Sequence, residues 1–206
     1  MAYIQSGEFV YDCSKCHTRC DGISKGVYIF DNDVSFSEYY EKIIIKHINS
    51  YEKYTSSKCT TDGFPDIEIK NKEGEVYRFL EVKVQQRTFM NIEKYLPGSK
   101  LAPSETVALN LSDLLRYFTI EETTGVNTVI TWVLLNRLCI VPKNSFRLFY
   151  QSSSELKRIY EVEKMHRTFR RKSGDGDIVD GVHKGVTVNF HFSLKELIEW
   201  KWPVSQ

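Results

Sequence analysis

Alternation of polar and apolar residues marks two neighbouring segments in the first half of the chain. The segments are residues 66–70 and 76–84, and a polar stretch containing Gly74 separates them. Side chains in a β-strand point alternately to opposite faces, so this pattern predicts two half-buried strands. The short polar stretch between them predicts a β-hairpin.

Helical spacing of apolar residues precedes the hairpin. Tyr40, Ile44 and Ile48 recur every four residues, which predicts one buried helix face. Serine is a favoured N-cap residue, so we expect Ser35 or Ser37 to begin this helix.

Further helices and strands are predicted after the hairpin. The patterns predict a helix at 112–122 capped by Ser112, a buried strand at 128–135, a helix at 154–167, a strand at 186–192 and a short helix with a Ser193–Glu196 capping box. Together these segments predict an α/β fold in which helices flank a mixed β-sheet.

The hairpin brings two acidic residues face to face. With a turn at residues 72–75, Asp66 lies opposite Glu81, with Cβ atoms about 5 Å apart, and Lys83 shares the face of Glu81. Opposed carboxylates destabilise a strand pair unless a neutralising group is present or one acid keeps its proton. Mg²⁺ prefers carboxylate oxygens, so the pattern is typical of a hydrolytic metal site with a lysine beside it. An ordinary half-exposed hairpin with alternating charges is the alternative.

The exact pattern resembles the signature of the PD-(D/E)XK nuclease superfamily. Gly63-Phe64-Pro65-Asp66 is followed, after a short hairpin, by Glu81-Val82-Lys83, and Gln85 and Gln86 come directly behind the lysine. A helix with Glu38 and Glu41 precedes the hairpin, as the acidic first helix does in that superfamily. The resemblance covers residues 35–87.

The resemblance implies a restriction-endonuclease-like core that hydrolyses DNA with Mg²⁺ or Mn²⁺. Asp66 and Glu81 would be metal ligands, Lys83 the catalytic base or charge stabiliser, and Glu41, in preference to Glu38, the acid on the helix. DNA is the implied partner, RNA is the weaker alternative substrate, and a homodimer is left open. A non-catalytic nucleic-acid or protein-binding module with the same fold is the rival hypothesis.

Cysteines concentrate near the N-terminus. We interpret residues 1–32 as a cysteine-rich, possible metal-binding segment and residues 33–206 as the nuclease-like domain. Cys13, Cys16, Cys20 and Cys59 suit a structural Zn²⁺ site, and His17 is an equally good fourth ligand. An iron–sulfur cluster and unligated thiols are the alternatives.

A basic stretch near the C-terminus is a candidate nucleic-acid surface. It consists of Lys164, Arg167, Arg170, Arg171 and Lys172. Such a cluster can contact phosphates and give affinity that falls with salt, and Gln85 behind Lys83 is a further candidate contact. A solvated helix end is the alternative interpretation.

Overall charge and hydropathy restrict which functional classes of protein the sequence fits. The 28 Lys and Arg residues against 27 Asp and Glu give a formal charge of +1, so a nucleic acid must be held by local charge clusters. The apolar region at 129–141 is interrupted by polar residues and falls short of the ~20 apolar residues of a membrane span. Residues 1–7 lack the features of a signal peptide, so we expect a cytoplasmic protein with no membrane association.

Overall fold

Helices and strands alternate along the computed structural model, which describes residues 4–5, 8–9, 30–86, 88–135, 137, 139–141, 144–170, 178–179, 182–183 and 188–201. The helices are α1 (Phe30–Asn49), α2 (Ile92–Tyr95), α3 (Leu111–Thr124) and α4 (Ser153–Glu163), with 3₁₀ turns at Lys164–Arg167 and Leu194–Glu196. The strands are β1 (Ile4–Gln5), β2 (Glu8–Phe9), β3 (Thr55–Lys58), β4 (Ile67–Lys70), β5 (Val76–Gln85), β6 (Thr106–Asn110), β7 (Asn127–Leu134), β8 (Arg147–Ser152), β9 (Thr168–Arg170), β10 (Ile178–Val179), β11 (Val182–His183), β12 (Val188–Ser193) and β13 (Ile198–Trp200).

A six-stranded mixed sheet is the centre of the fold. Its strand order is β13-β8-β7-β5-β4-β3, in which β5 and β7 run parallel and the other neighbours are antiparallel. The β-branched run of β7 is buried along nearly its whole length, as expected for a strand covered on both faces. The predicted mixed sheet flanked by helices is therefore confirmed.

The predicted hairpin consists of β4 and β5. Ile67 pairs with Leu80 and Glu68 with Phe79, and the register shifts near the turn, between Ile69 and Lys70. Ile67 and Ile69 are buried while Glu68 and Lys70 are partly exposed, which is the alternation that the sequence predicts.

Two apolar clusters cover the two faces of the central sheet. On one face, Ile67, Leu80 and Val82 pack against the Tyr40–Ile44–Ile48 stripe of α1. On the other face, Phe79 and Trp132 belong to a larger cluster that includes residues of α3, α4, β6 and β12. Side chains that alternate along β5 consequently enter two different environments.

A second, three-stranded antiparallel sheet has the order β6-β12-β9. Phe190 and Phe192 of β12 are fully buried in the larger cluster, and the Trp132 indole donates a hydrogen bond to the Ala108 carbonyl of β6 at 3.2 Å. These contacts hold the small sheet against the central one. The pairs β1-β2 and β10-β11 are separate antiparallel hairpins.

Two predicted helix starts are wrong, and one capping box is confirmed. Helix α1 begins at Phe30, so Ser35 and Ser37 lie inside it. Helix α3 is capped by Asn110, whose side-chain oxygen accepts from the Ser112 backbone N–H at 3.1 Å. Asparagine caps as well as serine and stands two residues earlier. The Ser193–Glu196 capping box is present at the last 3₁₀ turn.

The length and hydropathy of a helix determine whether it could cross a membrane. Among the helices that the structure describes, none combines the length and apolar character that a bilayer crossing requires.

Candidate active site

A tight loop delivers Asp66 to the start of β4. Gly63 has a φ of +76°, a conformation that strains residues with a Cβ atom, so glycine permits this turn. Phe64 then packs edge-to-face on Phe79, with ring centroids 5.2 Å apart, and Pro65 is buried. These contacts fix the loop directly before the acid.

Asp66 is held against the neighbouring strand β5. Its Oδ2 accepts a hydrogen bond from the Val82 backbone N–H at 2.8 Å, and its carbonyl accepts from the Cys59 N–H at 2.8 Å. Since Ile67 pairs with Leu80, the antiparallel ladder continued by one residue sets Asp66 opposite Glu81. The acid is therefore fixed through backbone contacts on both sides.

Glu81 and Lys83 extend from β5 toward the face that α3 covers. The Glu81 side chain is only 4% exposed, whereas that of Lys83 is 32% exposed, and Lys83 Nζ lies 2.5 Å from Glu81 Oε1. Leu80 and Val82 alternate with them and pack against the α1 side. The alternation of β5 thus brings a buried carboxylate and a lysine onto one face.

Three residues of α3 border this pair. Asp113 Oδ2 lies 3.6 Å from Lys83 Nζ, and its Oδ1 lies 3.1 Å from Arg116 Nη2. The Tyr117 side chain is buried and its hydroxyl accepts from Arg116 Nη2 at 3.3 Å, while burial and then the charge of Glu81 raise the pKa of the phenol. The helix closes one side of the site with an acid, a base and a phenol.

Burial and like charge make Asp66 an unusual acid. Burial first, and then the nearby Glu81 carboxylate, raise the pKa of Asp66 to about 7, although the Val82 N–H works in the opposite direction. For Lys83, burial alone would lower the pKa, but Glu81 and Asp113 outweigh it and the pKa is raised. Lys83 consequently carries its proton at neutral pH.

Glu41 on α1 approaches the site from the other side. Its side chain is buried and lies 3.3 Å from Lys58 Nζ on the edge strand β3, whereas Glu38 is half exposed and 3.8 Å from the same nitrogen. The charges of Glu41 and Asp66 also influence each other, because Glu41 contributes to the raised pKa of Asp66. Of the two helix acids, Glu41 is the one packed into this region.

The carboxylates fit a hard divalent cation. Within the part of the chain that the structure describes, no group of three or more His, Cys, Asp or Glu side chains is arranged to hold a metal. Asp66 is nevertheless partly buried, Glu81 is buried, and the charge of Glu81 acts on Asp66; Mg²⁺ is commonly held by one or two carboxylates plus waters and substrate phosphates. A cation would also relieve the repulsion that raises the pKa of Asp66.

The predicted basic surface divides into different environments. Lys164 and Arg170 are exposed, but Arg167 is buried and contacts Glu196 at 2.7 and 2.8 Å and Glu163 at 3.2 Å. The terminal Nη1 and Nη2 groups of Arg167 are thus engaged within the fold, so we leave the residue out of the proposed nucleic-acid surface. Arg171 and Lys172 lie outside the described residues.

Among the described residues, Gln85 and Cys59 have partners outside the acidic site. The Gln85 side-chain oxygen accepts from the Ala108 backbone N–H of β6 at 3.4 Å. Cys59 is partly buried against the larger apolar cluster. The other predicted zinc ligands, Cys13, Cys16 and Cys20, lie outside the described residues, as does the alternative ligand His17.

Sequence reasoning did not single out the side chains that α3 and β3 contribute. Asp113, Arg116 and Tyr117 stand at positions i, i+3 and i+4 of a predicted helix, a spacing that places them on one face. That spacing was a usable signal for a shared environment. The approach of Lys58 to Glu41 depends on tertiary packing and leaves no sequence signal.

Comparisons with known proteins add structural similarity but no match in sequence. No family profile matches the sequence, and no curated protein matches it. A Holliday junction resolvase, Hjc, from the archaeon Archaeoglobus fulgidus is similar over 76% of this chain and 83% of its own, with 11% identity and a TM-score of 0.37. A TM-score this low does not establish a shared fold, so the similarity assigns neither a family nor a function.

Proposed function

We propose that this protein is a metal-dependent nuclease of the PD-(D/E)XK type with a restriction-endonuclease-like core. The observation that carries the proposal is the hold of β5 on Asp66, whose Oδ2 accepts from the Val82 N–H at 2.8 Å between Glu81 and Lys83, with the Glu81 charge raising the pKa of Asp66. Buried like charges are costly to a fold and are typical of sites where they serve chemistry. A hydrophobic core is stable without two acids placed near each other beside a lysine.

Each residue of the site has a role in the proposal. Asp66 and Glu81 would hold Mg²⁺ or Mn²⁺, with oxygen ligands of the kind that both ions accept. When bound, the ion supplies Lewis acidity and an activated water for phosphodiester hydrolysis. Lys83, whose side chain is 32% exposed beside Glu81, would stabilise charge on the phosphate or act as the catalytic base.

Glu41 is the proposed third acid, supplied by α1. It is buried beside the site and paired with Lys58 at 3.3 Å. We assign Glu41 to orient water or ligands at the edge of the metal site. Lys58 is 61% exposed and is free to turn toward a phosphate while remaining near Glu41.

DNA is the proposed substrate, and RNA is the weaker alternative that the cleavage assay below also includes. Exposed Lys164 and Arg170, together with Arg171 and Lys172 from the same stretch of sequence, would supply phosphate contacts. Gln85 stays a candidate contact behind Lys83. Because the formal charge is only +1, nucleic-acid binding would have to depend on such local clusters of positive charge.

Strand cleavage tests the proposal. Supercoiled plasmid, single-stranded DNA and labelled RNA are incubated with Mg²⁺, Mn²⁺ or EDTA. Wild-type protein should cleave DNA only with a divalent ion, and Asp66→Asn, Glu81→Gln and Lys83→Met should each lose about 100-fold or more of the rate.

The chain supplies its own matched controls. Glu68 and Lys70 form a second carboxylate–lysine pair on the adjoining strand, at 2.7 Å, so Glu68→Gln and Lys70→Met should cleave like wild type. Equal rates in wild type and the Asp66 and Lys83 variants would mean a contaminant. No cleavage by wild type, with retained DNA binding, would favour a non-catalytic binding module.

A further inference from the structure

Helix α3 brings a second cation to the edge of the acidic site. Arg116 Nη2 lies 3.1 Å from Asp113 Oδ1, and Asp113 Oδ2 lies 3.6 Å from Lys83 Nζ on β5. One carboxylate therefore bridges an arginine of α3 and the lysine that contacts Glu81, so the two cations are close neighbours.

The stem of Arg116 runs beside the loop that leads to Asp66. A Cβ atom placed on Gly63 would lie 4.0 Å from Arg116 Cδ, and Gly63 is three residues before Asp66 in the chain. The Arg116 side chain is nevertheless 43% exposed. It thus borders the loop and stays open to solvent, so a ligand can reach the guanidinium.

The fold orients this guanidinium and leaves part of it available. Asp113 pairs with Nη2, and the Tyr117 hydroxyl accepts from the same nitrogen at 3.3 Å. The guanidinium carbon also lies 5.2 Å from the centroid of the buried Tyr117 ring. Among the residues that the structure describes, these polar contacts use Nη2 alone, so the N–H groups of Nε and Nη1 can donate to a ligand.

An ordinary ion pair on α4 shows what distinguishes this one. Glu155 and Arg158 form the same i, i+3 pair, at 2.5 Å, with side chains 36% and 67% exposed. The Asp113 side chain is only 24% exposed and also contacts Lys83 on a different element. The α3 pair is therefore joined to the acidic site through β5.

The chemistry of arginine suits a phosphate at this place. The carboxylates of the site repel the phosphates of an approaching nucleic acid, and Lys83 is already in contact with Glu81 at 2.5 Å. Arginine stays charged and presents a planar fork of donors that can contact two phosphate oxygens at once. Arg116 can therefore hold a phosphate beside the acids.

We propose that Arg116 contacts a phosphate of the substrate strand next to the one at Lys83, with Asp113 holding the guanidinium ready for it. The inference rests on the proposed nuclease function and extends the substrate contacts from the hairpin to α3. Asp113 is a positioning residue in this arrangement, because it acts through the two cations that it contacts.

Arg116→Gln tests the contact, because glutamine has a similar helix propensity and lacks the charge. Binding of fluorescently labelled single-stranded and duplex DNA is measured by anisotropy in EDTA over a range of salt concentrations. We expect about tenfold weaker binding and a salt dependence smaller by about one phosphate contact. In cleavage with Mn²⁺, KM for DNA should rise about tenfold, the rate at saturating DNA should fall less, and Mn²⁺ affinity should not change.

Arg158→Gln is the matched control. It removes an arginine from the i, i+3 pair on α4, at a more exposed position, and should bind DNA like wild type with the same salt dependence. Arg116→Lys keeps the charge without the fork, so it should restore the salt dependence and part of the affinity. Thermal unfolding of the three variants compares any loss of stability.

The outcomes separate the two proposals. Wild-type protein that cleaves DNA, with Arg116→Gln unchanged in DNA affinity, salt dependence and KM, would overturn the phosphate contact and leave the nuclease standing. A tenfold loss shared by Arg158→Gln would also overturn the contact, because the effect would then be one of overall charge. If wild type binds DNA only together with the ion, the comparison of KM values decides in the same way.

Two further results bear on the nuclease itself. DNA binding that weakens in Arg116→Gln, in a protein that cleaves with no divalent ion, would keep the phosphate contact and overturn the nuclease. Wild-type protein that neither binds nor cleaves DNA would overturn both.

Discussion

Two Glu-x-Lys sequences lie on neighbouring strands of this protein and end in different surroundings. Glu68 and Lys70 on β4 form an ion pair at 2.7 Å with side chains 22% and 37% exposed. Glu81 and Lys83 on β5 form one at 2.5 Å, but the Glu81 side chain is only 4% exposed. The local pattern and the local ion pair are the same, and the burial of the acid differs.

Position in the sheet explains the difference. Strand β4 has the edge strand β3 beside it, and Glu68 accepts a hydrogen bond from the exposed Ser57 hydroxyl at 3.2 Å. Strand β5 lies between β4 and β7, and its Lys83 approaches Asp113 of α3 at 3.6 Å, so Glu81 is buried near Asp66 instead. The sequence pattern supplies an acid and a base, whereas a second, partly buried carboxylate makes the pair a candidate metal site.

Removal of the lysine should distinguish the pairs most strongly. Lys83→Met leaves the buried Glu81 carboxylate without its cation, and we expect a loss of about 2–4 kcal/mol in the free energy of unfolding. Lys70→Met, which breaks a partly exposed pair, should cost less than about 1 kcal/mol. Urea unfolding at pH 7 in EDTA measures both, and equal losses would contradict the comparison.

Removal of the second acid should stabilise the protein at high pH. The pKa of Asp66 rises from its ordinary value of 3.8 to about 7 on folding, so this residue's contribution to stability falls as pH rises between these values. In EDTA at pH 8, Asp66→Asn should therefore be more stable than wild type by about 1–3 kcal/mol. The gain should disappear as the pH falls toward 4.

Glu68→Gln is the control for that experiment. Glu68 lies in the partly exposed pair, so its substitution should change the unfolding free energy by less than about 0.5 kcal/mol at pH 8. A pH-independent effect of Asp66→Asn, or an equal gain from Glu68→Gln, would show that Asp66 is not under electrostatic strain.

The hairpin and the central strand were predictable because local patterns determine them. Alternation in residues 66–70 fixes which side chains of β4 are buried, and the apolar, β-branched run at 128–135 predicts β7. Helix starts were less predictable, since several residues near each boundary can cap. Asn110 takes the role predicted for Ser112, and α1 begins before both candidate serines.

Tertiary packing decides the parts of the site that the sequence left open. Arg167 belongs to a basic stretch, yet folding places it against Glu163, four residues earlier, and Glu196, which is distant in sequence. Tyr117 appears as one more apolar position of an amphipathic helix, yet its buried hydroxyl accepts a hydrogen bond from Arg116. Which face of α3 meets β5 is a property of the whole core and not of any local segment.

Direct measurement of Mn²⁺ binding by calorimetry tests the central claim that Asp66 and Glu81 together hold a divalent ion. Wild-type protein and Glu68→Gln should bind Mn²⁺ with the same affinity, whereas Asp66→Asn and Glu81→Gln should each bind more than about tenfold more weakly. Equal Mn²⁺ affinity in all four proteins would contradict the claim.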